Sequence, residues 1–158
     1  MSKKTRQYIR KSGGEVRVRQ LFSKEEIDRA LEIYTETAKR AGFAIHSKDY
    51  YHELYKKMGE NSPIFGAFIE REQGEFVEKG KSTNTSEEYK AAEERLAEKL
   101  KNQEMVAFLW FAQSDDVAFE LYGGVTEAGQ KSRANYVLKW IAIIEMKNRG
   151  VNRYDFNG

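Results

Sequence analysis

Tyr122-Gly123-Gly124-Val125-Thr126-Glu127-Ala128-Gly129-Gln130-Lys131-Ser132-Arg133 leads into Ala134-Asn135-Tyr136-Val137-Leu138-Lys139-Trp140-Ile141-Ala142-Ile143-Ile144-Glu145-Met146-Lys147-Asn148-Arg149, and Gly150 to Gly158 completes the stretch that decides the fold. Its pattern predicts a strand entering a polar, glycine-bearing loop, a helix over Ala134–Arg149 closed by Gly150, and a strand over Val151–Gly158. Tyr136, Val137, Trp140, Ile141, Ile143 and Ile144 form a broad apolar stripe, so the helix is expected to lie deep, with Trp140 inside. Strand, helix and strand in that order predict a right-handed crossover on a parallel sheet. A loop entering a helix is where anions bind, and Lys131 and Arg133 stand there.

The whole chain has room for one core. It has 158 residues, 40% of them hydrophobic and 33% charged, which suits a single domain. Aromatics make up 13%, too many for a solvated, disordered chain. A formal charge of +2 gives no field that argues for DNA as a partner. Cysteine is absent, which excludes disulfides and thiolate chemistry. His46 and His52 show no metal-ligand spacing and read as surface residues without partners. No apolar run approaches the roughly 20 residues of a membrane span, and no apolar segment follows the basic N-terminus, so a cytoplasmic location is expected.

Upstream, Met1–Ser12 is basic and reads as a solvated tail or frayed helix, or else as a contact for an anionic surface. Glu15-Val16-Arg17-Val18-Arg19 alternates like a half-buried edge strand. Ser23-Lys24-Glu25-Glu26 is a capping box, opening a helix that carries Ile27, Ala30, Leu31, Tyr34 and Ala38 on one face and ends at Gly42. Ser47 caps a shorter helix with Tyr51, Leu54, Tyr55 and Met58 in register, closed by Gly59. Tyr50, Tyr51 and Tyr55 read as core and rim packing. Ile64–Ile69 is continuously apolar, as in a strand covered on both faces. Arg71–Thr85 is polar and reads as a loop. Thr85-Ser86-Glu87-Glu88 is a second capping box before a charged helix to about Lys101, whose thin stripe is Tyr89, Ala92, Leu96 and Leu100. Residues 71–103 are therefore expected to be a surface insertion. Met105–Ala112 and Val117–Tyr122 form a hairpin around Ser114-Asp115-Asp116, where the aspartates serve as turn formers.

This order, β-α-α-β-(inserted helix)-β-β-α-β, resembles the GNAT acyltransferase fold, an α/β (α+β) architecture with a mixed sheet flanked by helices. Several stretches further resemble the FemABX family of peptidoglycan bridge-forming aminoacyltransferases. They are Thr37–Phe43, Ile64–Phe68, Leu121–Gly124 and, most specifically, Arg133–Trp140 followed by Gly150–Gly158. The resemblance implies transfer of an amino acid from aminoacyl-tRNA to the stem peptide of a peptidoglycan precursor, either lipid II or a UDP-muramyl peptide. It implies no metal and no organic cofactor. Family members have two GNAT-like halves, so residues 1–158 are expected to form one GNAT-like domain, the second half of a two-domain enzyme, inactive alone. Relatives continue past the last strand with a Phe-Lys segment, and many hold the precursor's diphosphate with an arginine at the position of Gln130. The open sheet edge left here is expected to favour self-association, and a peripheral location at the inner face of the membrane follows from the substrate.

Under that resemblance, Lys131 and Arg133 hold phosphate, and Tyr122, Asn135 and Tyr136 border the substrate. Asp155 is the candidate proton acceptor or amine-orienting group, beside a structural reading as a carboxylate capping a neighbouring loop. Two alternatives stand against the transferase. An acetyl-CoA-dependent enzyme holds pyrophosphate on an Arg/Gln-x-x-Gly-x-Gly/Ala loop, and around Gly129 that pattern fails at both ends, at Thr126 and Lys131. A non-catalytic module for a cell-wall precursor would keep the fold and bind without transferring.

Overall fold

A computed structural model describes residues 1–71 and 85–156. It contains α1 (Lys3–Ser12), β1 (Arg17–Gln20), α2 (Lys24–Ala41), α3 (Lys48–Met58), a 3-10 turn (Gly59–Asn61), β2 (Ile64–Glu70), α4 (Thr85–Lys101), β3 (Gln103–Ser114), β4 (Val117–Val125), α5 (Glu127–Lys131), α6 (Ala134–Asn148) and β5 (Arg153–Asp155). The five strands form one sheet in the order β1-β2-β3-β4-β5. Only β4 and β5 run parallel, and the other neighbours are antiparallel. The sheet is thus mixed, as the GNAT-like order requires, and the parallel floor expected from the last third shrinks to one pair.

Local chemistry sets most of the boundaries. Ser23 Oγ accepts from the Glu26 amide while Glu26 reaches back to the Ser23 amide, completing the capping box of α2. Gly42 at φ 77° and Gly150 at φ 90° take the left-handed backbone that lets α2 and α6 stop. Asp115 and Asp116 form the tip of the β3–β4 hairpin, with Asp115 at φ 48°. Of the expected loop Arg71–Thr85, residues 72–84 lie outside the described residues, as do the side chains of Thr85 and Ser86 in the second capping box and those of Leu96 and Leu100. Of that thin stripe on α4, Tyr89 and Ala92 are exposed.

Two apolar clusters cover the sheet. On one face α6 packs Val137, Leu138, Ala142 and Met146 onto Phe65, Ala107, Leu109 and Phe111. On the other, α2 and α3 pack Ile27, Leu31, Ile33 and Tyr51 onto Ile64, Phe68, Phe108 and Trp110. Gly124 makes the second contact close, because a Cβ there would stand 2.9 Å from Thr37 Oγ1 and 3.1 Å from Ile33 Cγ2. Gly123 and Gly124 therefore belong to β4 and its packing, not to a loop.

Three expectations are corrected by this packing. The buried stripe of α6 is turned from the expected one: Trp140 is 38% exposed, and Tyr136 and Ile144 also face out. Replacing Trp140 by alanine is accordingly expected to cost about 1 kcal/mol or less in a denaturant melt, as for surface positions. The basic N-terminus is an ordered helix, capped by Ser2, whose Tyr8 meets Tyr136 edge-on at 5.1 Å. His52 has a partner after all, with its Nε2 2.7 Å from Asp28 Oδ1, and that contact holds the Asp28 carboxyl below its ordinary value. His46 lies exposed against the Tyr50 ring, with centroids 4.1 Å apart.

Candidate functional site

The parallel pairing of β4 with β5 lasts only from Val117–Phe119 against Arg153–Asp155. β4 then continues to Val125 paired with β3 alone among the described residues, leaving one backbone edge open. A cleft of about 330 Å³ fills the gap, bounded by β4 from Glu120 to Val125, by Asn135 and Lys139 of α6, and by Phe156. Clefts beyond the carboxyl ends of parallel strands, flanked by a helix, are where open α/β sheets bind ligands.

A bulge shapes the wall of this cleft. Trp110 faces Tyr122, but the next residue, Phe111, faces Glu120, so Leu121 is extra on β4. Residues two apart in a regular strand share a face, and the bulge breaks that rule here. Tyr122 turns into the aromatic cluster under α2 and α3, 5.5 Å from the rings of Tyr34 and Trp110. Burial raises its phenol above the usual value, with help from Tyr50 and Tyr51. Glu120 turns the opposite way, toward α6. Lys139 Nζ donates to Glu120 Oε2 at 2.9 Å, and the Tyr154 hydroxyl donates to Oε1 at 2.6 Å. Burial, followed by that hydrogen bond, pushes the Tyr154 phenol far above its ordinary value.

The residues singled out from the sequence are divided by the structure. Tyr122 and Asn135 line the cleft. Lys131 is exposed and paired with Glu127 at 2.8 Å, a hydrogen bond that raises the lysine and lowers the glutamate. Arg133, at φ 57°, lays its guanidinium 3.9 Å over the Tyr8 ring, and Tyr136 touches the same ring from its other neighbour. Asp155 ends β5, exposed, beside a second cavity of about 550 Å³ that it shares with Phe119 and Arg153. Among the described residues, no cluster of three or more His, Asp or Glu could hold a metal ion.

Glu120 and Lys139 were missed. Each is the single charged residue within a mostly apolar run, Val117–Tyr122 for one and Tyr136–Ile144 for the other. A lone charge in a core element is the signal that would have found them, because such groups stay charged only with a partner.

The comparisons fit this geometry. Residues 1–74 match the FemAB family, a span that includes Thr37–Phe43 and Ile64–Phe68 but not Arg133–Gly158. A comparison with curated proteins found no match. The crystal structure of FemX superposes with a TM-score of 0.74 at 13% identity, covering 99% of this chain and 48% of FemX. The chain thus spans about half the length of FemX. An aminoglycoside acetyltransferase from an uncultured soil metagenomic sample, solved with sisomicin, gives a TM-score of 0.58 at 10% identity, covering 92% of this chain and 79% of that one. A GNAT family acetyltransferase from Staphylococcus aureus gives 0.54 at 9% identity, covering 91% and 87%. At these identities the structural likeness shows the shared GNAT-like fold. The FemAB match covers residues 1–74, just under half of the chain, and the superposition on FemX shows that the whole chain shares the fold of one half of that protein.

Proposed function

We propose that this domain takes part in aminoacyl transfer to a peptidoglycan precursor, with the precursor entering the cleft where β4 leaves β5. The observation that carries the reading is the open edge of β4, which suits an extended stem peptide that adds its own backbone hydrogen bonds. Lys131 and Arg133, at the approach to α6, would hold the precursor's phosphate, and Tyr122, Asn135 and Tyr136 would border its peptide. Aminoacyl-tRNA is the donor in this reading, and Asp155 is the candidate for taking or orienting the amine's proton. Much of the acceleration would come from positioning, since amine and ester react readily once held together. The chain acts as the second of two similar halves, and α4 (Thr85–Lys101) belongs to an insertion into it. Among the described residues no helix is long and apolar enough to cross a membrane. A place at the inner membrane face follows only from the proposed substrate.

The acyl-CoA alternative has the GNAT neighbours in its favour and the turn before α6 against it. A pyrophosphate loop must leave its amides free for the ligand. Here the amides of Gly129, Gln130, Ser132, Arg133 and Tyr136 already donate to Thr126, Ala128, Gln130 and Arg133.

Titration calorimetry with a UDP-muramyl pentapeptide tests the phosphate assignment. Lys131→Ala and Arg133→Ala are each expected to weaken binding by about 1.5–3 kcal/mol, the range for hydrogen bonds to charged groups. Affinity should also fall as salt rises. Unchanged binding in the double variant would remove both residues from the phosphate site.

A further inference from the structure

The reading above leaves Glu120 and Lys139 without a task. Resting on it, we propose that this pair forms a subsite for an α-aminoacyl group, with the ammonium on Glu120 and the adjoining carbonyl oxygen on Lys139.

The pair sits in the wall of the cleft, with the Glu120 side chain only 10% exposed and that of Lys139 35% exposed. Each carboxylate oxygen of Glu120 has one partner, Lys139 Nζ on Oε2 and the Tyr154 hydroxyl on Oε1. A carboxylate offers about four acceptor sites, so each oxygen can take one more donor. Lys139 has three donors and gives one to Glu120, while its Nζ lies 5.2 Å from the ring of Phe156, which also lines the cleft. A negative and a positive group 2.9 Å apart match a ligand whose ammonium and carbonyl oxygen are separated by two carbons. An acetyl group carries no ammonium and would leave the Glu120 acceptor sites unused. A purely structural role is the competing explanation, because the pair also ties α6 to β4 and β5. Ion pairs of this kind, however, contribute little to stability once desolvation is counted.

The subsite can be tested without any nucleotide precursor. L-alaninamide has the ammonium and carbonyl of an aminoacyl group, and N-acetyl-L-alaninamide lacks the charge. Nα-acetyl-L-lysinamide carries its ammonium on the side chain, as an acceptor amine would. In proton–nitrogen correlation spectra of the full chain, L-alaninamide is expected to shift the amides of Gly123 and Gly124. It should bind about tenfold or more tightly than N-acetyl-L-alaninamide, the scale of one hydrogen bond to a charged group. Glu120→Gln should abolish that preference, and Lys139→Met should weaken both ligands alike. Equal affinity of wild type for the two alaninamides would overturn the proposal, and this reading needs no variant to fold. Tighter binding of Nα-acetyl-L-lysinamide than of L-alaninamide would also overturn it, by assigning Glu120 to the acceptor amine. A preference that survives in Glu120→Gln would leave the pair a structural tie. Failure of the UDP-muramyl pentapeptide to bind is read separately and counts against the transfer reading, not against the subsite.

Discussion

Trp110→Ala is expected to cost about 3–5 kcal/mol, the range for deleting a large aromatic side chain from a packed core. The ring is 1% exposed at the centre of the cluster beneath α2 and α3. It meets Tyr51, Tyr55 and Tyr122 at centroid distances of 6.2, 6.1 and 5.5 Å. Its Nε1 donates to Ser62 Oγ, a fully buried hydroxyl that in turn donates to the Phe111 carbonyl at 3.0 Å. Both the transfer of apolar area and the cavity left behind count against the variant. Trp110→Phe keeps most of the volume and loses the N–H, so its loss should be smaller, about 1–3 kcal/mol. Denaturant melts of the two variants separate these contributions. A loss below about 1 kcal/mol for Trp110→Ala would mean that the aromatic cluster does not hold the sheet to α2 and α3. Tyr122 rests on this ring, so the wall of the cleft depends on it too.

The second large effect concerns Gly129. In a helix, replacing glycine by alanine ordinarily stabilises by about 1 kcal/mol. At Gly129 a Cβ would stand 2.4 Å from the Val106 carbonyl oxygen and 2.8 Å from Val125 Cγ2. The nearest atom is backbone and already accepts from the Thr126 amide at 2.8 Å, so it cannot simply move aside. Overpacking therefore outweighs propensity, and Gly129→Ala is expected to destabilise by about 3 kcal/mol, the upper end of that range. Its thermal melt checks this, and a variant as stable as wild type would show that α5 does not press on β3. Gly129 thus lets α5 sit against the sheet, whereas the sequence offered it as part of an anion-binding loop.

Where the chain's chemistry was local, the sequence could be read. Ser23 and Glu26 announce the start of α2, Gly42 and Gly150 announce the stops, and Asp115-Asp116 announces the hairpin. The alternation around Val16 and Val18 found the edge strand β1, and the unbroken apolar run at Ile64 found a strand covered on both faces. The misreadings share a different cause. From Tyr136 to Ile144 the α6 sequence is apolar nearly all round, so periodicity alone does not fix which side faces the sheet. The small Ala134 and Ala142 prove to be inside, and Trp140 is not. The basic residues of α1 hide a helix whose docking partner, Tyr136, lies more than a hundred positions away. The bulge at Leu121 has no local signature, yet it turns Tyr122 toward α2 and α3 and Glu120 toward α6, so the two line the cleft from different sides. Of the candidate residues, the structure joins Tyr122 and Asn135 to that cleft, leaves Lys131 paired with Glu127 on the surface, and packs Arg133 and Tyr136 against Tyr8 of α1. Asp155 stands beside a neighbouring cavity.

In the proposed function the opening between β4 and β5 receives a cell-wall precursor. The most direct measurement is a proton–nitrogen titration of the chain with a UDP-muramyl pentapeptide, run in parallel with coenzyme A. The expected result is a saturable shift at Gly123, Gly124, Asn135 and Lys139 with the pentapeptide, and little change there with coenzyme A. Shifts at those four positions with coenzyme A alone, or pentapeptide shifts confined to residues outside the cleft, would contradict it.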